Sequence, residues 1–123
     1  WVYTSMYRPV VDAFHGLVEK ARALGDTLRA RLDLLKDKHE VIGDLRGLGP
    51  MQAIELVTDR MTREPAMALT AAVVAAARQR GLLLLPTGTL GNVIRFLMPI
   101  TTADETLTEG LDVLDEALTV ARA

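Results

Sequence analysis

The sequence predicts an α+β fold, a small sheet of antiparallel strand pairs with helices packed on it. Three observations carry this. Apolar residues recur three or four apart over a long first stretch, strand-like segments come in adjacent pairs, and each pair is followed by another helical pattern. Strands alternating singly with helices would instead have pointed to a parallel sheet.

The first element is a helix. After Pro9, which fits a first helical turn, Phe14, Leu17, Val18, Ala21, Leu24, Leu28, Leu32 and Leu35 form one apolar stripe. Glu19, Lys20, Arg22, Asp26, Arg29, Arg31, Asp33, Lys36 and Asp37 make the solvated face, and the helix is expected to end near His39. The stripe packs on its own domain, or on a neighbouring domain or second subunit. Residues 1–40 are thus read as an N-terminal segment and amphipathic helix leading into a body of residues 41–123.

From Val41 to Pro50 the chain is rich in glycine, and Met51 to Val57 reads as a strand with Glu55 inside it, so two extended segments are joined through the glycines. Thr58 to Glu64 is a polar loop. Pro65 fits the start of an alanine-rich helix ending at Arg80, with Gly81 as the left-handed residue that closes it. The apolar run Leu82 to Leu85 is expected to be a buried strand, Pro86 to Asn92 a loop, and Val93 to Met98 a strand that Pro99 stops. Thr102 and Glu105 have capping-box spacing, and the last helix, with Leu107, Leu111, Leu114 and Leu118 inward, runs to about Ala121.

Composition excludes several function classes. Of 123 residues, 50% are hydrophobic and 24% charged, too apolar for a disordered chain and of a size for one core. A formal charge of −2 with both signs interspersed provides no field for nucleic acid or an anionic membrane, and no run is long and apolar enough to span one. A chain with no cysteine has no disulfide or thiolate site. With no signal-peptide pattern, the expected location is cytoplasmic, and an opening without methionine is read as a cut from something longer.

Most chemical signatures fail. Gly47-Leu48-Gly49 begins like a dinucleotide fingerprint, but Gln52 stands where its third glycine belongs. His15, expected to be partly buried, and His39, expected at the surface, lack metal-ligand spacing, and Ser5, the only serine, has no nucleophile elbow around it. Arg95 stands out. Strand alternation puts it on the face of Val93 and Leu97, where a guanidinium drawn out of water needs an anion: an internal acid such as Asp44 or Glu55, or a ligand's carboxylate presented beside the loop before it.

Val41-Ile42-Gly43-Asp44-Leu45-Arg46-Gly47-Leu48-Gly49, Ala53 to Arg60 with Thr62-Arg63-Glu64-Pro65, Arg80 to Leu85, Gly88-Thr89, and Gly91 to Leu97 with Pro99 together resemble the carboxy-terminal region of class III aminotransferases, most nearly the 4-aminobutyrate transaminase branch. The resemblance covers Val41 to Leu118. Residues Trp1 to Pro9 and Met98 depart from it.

The resemblance implies the small carboxy-terminal domain of a fold-type I enzyme that uses pyridoxal phosphate. It implies that Arg95 binds the substrate carboxylate, that Gly88, Thr89, Gly91 and Asn92 belong to a loop lining the active-site mouth, and that Asp44 and Arg46 brace the domain. The lysine that carries the cofactor would lie in a missing large domain. Lys20, Lys36 and Lys38 match no cofactor-lysine context, so no catalytic residue, cofactor-binding residue or metal ligand is assigned here and the isolated chain is expected to be inactive. Partners implied are that domain, small amino and keto acids, and a second subunit in a homodimer, with no nucleic acid and no membrane. Ornithine, acetylornithine or dialkylglycine enzymes, or a stand-alone binding or dimerisation module, are the alternatives.

Overall fold

The computed structural model describes residues 2–122; Trp1 and Ala123 lie outside them. In chain order the elements are α1 (Val2–Lys38), β1 (Ile42–Leu48), β2 (Met51–Leu56), α2 (Met67–Gln79), β3 (Leu85–Thr87), β4 (Val93–Phe96) and α3 (Asp104–Val120). The four strands form one sheet in the order β1-β2-β4-β3, every neighbouring pair antiparallel. The α+β expectation and the paired strands are both met.

The sheet has two unlike faces because alternate residues point to opposite sides. Leu45, Ile54, Leu56, Ile94 and Phe96 share one buried cluster with Leu28 and Leu32 of α1, Val73 and Ala77 of α2, and Leu111, Leu114 and Leu118 of α3. The helices therefore cover this face and leave the other, carrying Arg46, Ala53, Glu55, Arg95 and Leu85, without a helical layer. Register aligns Arg46 with Ala53 and Ala53 with Arg95, so the two arginines flank one small residue on the open face.

The structure revises three boundaries here. α1 begins at Val2 with Pro9 inside it, and no residue before Leu24 is buried among those whose side chains are described. Pro65 makes a bridge with Val57, and α2 begins only at Met67, after Ala66 donates its N–H to the Leu56 carbonyl at 3.1 Å. Leu82 to Leu85 is not a buried strand. Leu82 still donates its N–H to the Ala77 carbonyl (3.0 Å), so the segment leaves the helix end slowly. Leu82 and Leu84 pack on the core, Leu83 and Leu85 point outward, and pairing with β4 starts at Leu85.

The capping box does not form. Ala103 is the N-cap, and the Thr102 hydroxyl donates instead to the Pro99 carbonyl at 2.6 Å, tying the end of the preceding turn. Asp104 and Glu105 still favour this helix end, where free backbone amides carry partial positive charge.

Both histidine expectations are reversed. His15 is exposed on the projecting half of α1. His39 is buried, its Nε2 2.5 Å from the Asp115 Oδ1 on α3, and since an ionised carboxylate only accepts, Nε2 carries the hydrogen. Lys38 Nζ donates to the other oxygen of Asp115, also at 2.5 Å.

Arg60, reaching from the 58–64 loop, satisfies the carboxy-terminal end of α1. Its Nη2 donates to the carbonyls of His39 (3.1 Å) and Lys36, and its Nε to that of Ile42 (3.2 Å). Lys36 and His39 stand where α1 runs out of helical N–H donors, the His39 carbonyl also accepting from the Ile42 N–H at 3.1 Å, so a guanidinium fork is a fitting cap. The loop that holds Arg60 is itself closed by Asp59, whose Oδ1 accepts from the backbone of Met61 (2.6 Å) and Thr62 (2.9 Å).

Candidate functional site

The chemistry of the open sheet face begins with the β1–β2 hairpin. Gly49, at φ +54, allows a two-residue turn with Pro50, and this fixes a register that places Asp44 directly opposite Glu55. Two carboxylates facing each other across a strand pair repel. Arg46 resolves this: its Nη1 donates to Asp44 Oδ2 and to Glu55 Oε2, both at 2.7 Å. The hydrogen bond from Arg46 holds the Asp44 carboxyl below its ordinary pKa despite partial burial, and the bonds to Asp44 and Glu55 raise that of the guanidinium in turn.

Arg95 lies across β2 from this cluster. Its side chain is exposed, on the face opposite Ile94 and Phe96, and the guanidinium makes no hydrogen bond or ion pair among the described residues. The expectation that its guanidinium is withdrawn from water is therefore overturned, because no helix covers this face at Arg95. The internal-bridge reading falls with it. Asp44 and Glu55, the two acids that alternation offered to Arg95, are both held by Arg46.

Apolar groups surround the free cation. Leu85 is its direct neighbour on β3, and Leu85, Leu97 and Leu83 are exposed at 58%, 64% and 81%. A cleft of about 310 Å³ opens at the end of β4 toward the helix-covered side, lined by Leu28, Phe96, Leu107 and Leu111, and Arg95, Leu85 and Leu97 stand at its sheet edge. An exposed guanidinium flanked by apolar side chains suits a ligand with a carboxylate at one end of an aliphatic chain.

The loop before β4 is a tight turn. Gly88 and Gly91 take φ +85 and +62, and the Gly91 N–H donates to the Gly88 carbonyl at 3.1 Å. A side chain at Gly88 would also meet the Val93 methyl at 3.0 Å. Thr89 is exposed at the tip. Asn92 is buried, and its Nδ2 donates to the Leu56 carbonyl at 3.0 Å and, more weakly, to Glu55 Oε1 at 3.5 Å. The structure thus puts Thr89 outward and uses Asn92 to anchor the loop to β2.

No lysine borders this groove. Lys20, Lys36 and Lys38 all lie on α1, and the Lys38 ammonium is bound to Asp115. These residues do not fit a cofactor-holding role beside Arg95. Among the described residues no group of three or more His, Asp or Glu side chains is placed to hold a metal ion, and no helix is long and apolar enough to cross a membrane.

Sequence reading singled out Arg95 and the turn, yet missed that Glu55 belongs with Arg46. The signal was present: the turn Gly49-Pro50 pairs Leu48 with Met51, and counting back sets Arg46 diagonal to Glu55. Arg60 had no such signal, since its partners are carbonyls 18 to 24 residues away.

The family described as Aminotransferase class-III matches residues 10–118. A 5-aminovalerate aminotransferase (DavT) of Pseudomonas aeruginosa is 50% identical over 100 residues, covering 81% of this chain and 24% of that protein. A 4-aminobutyrate aminotransferase (GabT) of Escherichia coli is 42% identical over 106 residues, covering 86% and 25%. The structure of a Bacillus anthracis aminotransferase superposes with a TM-score of 0.80 at 27% identity, covering 89% of this chain and 26% of that one. The chain spans about a quarter of the length of the relatives it matches.

Proposed function

The chain belongs to the class III aminotransferase family, and from that membership we propose that it is the carboxy-terminal small domain of a transaminase acting on ω-amino acids such as 4-aminobutyrate. Its task there is to hold the substrate by its carboxylate through Arg95. One observation supports this above the rest: among the described residues Arg95 is an exposed guanidinium without a partner, flanked by the exposed Leu85 and Leu97, while the nearby acids are bound elsewhere.

The names of two relatives carry the chemical argument a step further. 4-Aminobutyrate and 5-aminovalerate are linear chains with an amine at one end and a carboxylate at the other, differing by one methylene. A contact at the carboxylate serves both, and the keto acid 2-oxoglutarate presents the same group. Leu85 and Leu97 provide apolar surface for the methylenes. Pyridoxal phosphate, when bound, supplies the electron sink for amino-group transfer; the residues that hold it lie in the remainder of the protein, with a second subunit completing the site. The turn of Gly88, Thr89 and Gly91, anchored by the buried Asn92, would stand at the edge of the mouth with Thr89 exposed.

The test is Arg95→Ala in the full-length enzyme. Losing a charge-assisted contact to a carboxylate is expected to raise KM for 4-aminobutyrate and 2-oxoglutarate by roughly 10- to 100-fold. The melting temperature should hold, because the guanidinium has no partner in the fold. An unchanged KM for both substrates would sink the reading.

A further inference from the structure

Glu55 is placed symmetrically between two arginines. On β2, Ala53 has Arg46 opposite it on one side and Arg95 on the other, and Glu55 stands two residues on, on the same face. It is therefore diagonal to both cations, at a separation that long side chains bridge. In the structure it is bound to Arg46 alone, at 2.7 Å, while Asn92 touches its second oxygen at 3.5 Å.

We infer that Arg46 is a positioning residue which keeps Glu55 away from Arg95 and so leaves the Arg95 guanidinium open to a ligand carboxylate. The inference rests on the carboxylate-binding reading of Arg95. Its physical basis is competition. Asp44 faces Glu55 directly and also feels the Lys36 charge from α1, so without Arg46 between them the two carboxylates repel, and the cation diagonal to Glu55 on its other side is Arg95. Asp44, on β1, is two strands from Arg95 and cannot make the same move. The hairpin is thus built so that its own acid does not occupy the substrate's place. Arg46 does this without touching substrate.

The full-length holoenzyme provides the test, with glutarate as probe, a dicarboxylate that has neither amino nor keto group. Arg46→Met is expected to weaken glutarate binding in calorimetry roughly fivefold, with a matching rise in KM for 2-oxoglutarate and kcat within about twofold. Adding Glu55→Gln should restore affinity to within about twofold of the unaltered enzyme, whereas adding Asp44→Asn should not. A merely structural role predicts the reverse, a fall in kcat and stability that Glu55→Gln does not repair. Arg46→Gln, which retains donors for both acids but not the charge, is the second variant if the methionine form does not fold, with a smaller shift in the same direction. Arg95→Ala runs in parallel. If it leaves glutarate affinity intact, the reading of Arg95 fails; if it abolishes binding while the Arg46 variants leave it unchanged, or Glu55→Gln gives no rescue, only the role of Arg46 is overturned.

Discussion

Asp115 shows how much one side chain can tie together. It joins the end of α1 to α3 by accepting from His39 and Lys38, and the imidazole it serves is 3% exposed. Burial pushes the Asp115 carboxyl up, but the hydrogen bonds and charges of Lys38 and His39 outweigh this and hold it below its ordinary value of 3.8. Asp115→Ala is expected to cost about 1–3 kcal/mol in a denaturant melt near neutral pH, because it strands a buried imidazole N–H. The sign with pH follows from linkage. A carboxyl whose pKa is lowered by folding contributes its stability above the unfolded value, and that contribution is lost as pH falls from there through the folded value. The gap between parent and variant should therefore be full above about pH 5 and narrow steadily below the ordinary carboxylate range. A constant gap across the acid limb would show that the charge of Asp115 is not what matters. None of this was legible in the sequence, since His39 and Asp115 are 76 residues apart and the spacing of neither points to the other. The open-face ion cluster was more accessible, because a two-residue turn fixes which residues meet.

Among the elements, α1 contains two glycines with opposite consequences. Gly25 lies where the helix crosses the hairpin turn, and an added Cβ would sit 2.3 Å from the Gly49 carbonyl carbon, against backbone that cannot rotate aside. Gly16, on the projecting half, has nothing within 4 Å. Gly16→Ala is accordingly expected to stabilise the chain by about 0.5–1 kcal/mol through helix propensity where that turn is folded cooperatively. Gly25→Ala should instead destabilise by about 1–3 kcal/mol, as the helix is lifted from the sheet. Equal and favourable shifts in the denaturant midpoint would mean that α1 does not seat on Gly49. Helix periodicity alone could not separate the two positions, since it reports faces and not the height of what packs on them. The same limit explains Leu82 to Leu85: four leucines in a row conceal the alternation that sends Leu83 and Leu85 outward. Likewise, the Thr102 and Glu105 spacing was right for a cap, but the hydroxyl was already engaged by Pro99.

The architecture as a whole was readable because its core repeats at the periods that backbone geometry imposes: Leu24, Leu28, Leu32 and Leu35 on α1, and Leu107, Leu111, Leu114 and Leu118 on α3, are all buried as their spacing requires. The same stripe on α1 continues toward the amino end, yet there it meets nothing. Val10, Phe14 and Leu17 are 67%, 63% and 42% exposed, on turns that project past the sheet. An apolar row of this length facing water favours a covering surface, which the rest of a longer protein would supply. Taken alone, the chain is therefore expected to associate with itself through this row, giving a concentration-dependent mass above that of one chain in sedimentation equilibrium. Changing Val10, Phe14 and Leu17 together to Gln should return it to single chains. The denaturant midpoint, read at low concentration, should stay where it is, because these side chains contribute nothing to the core that starts at Leu24. A parent chain that sediments as a monomer at every concentration would mean that the row tolerates water and is not an association surface.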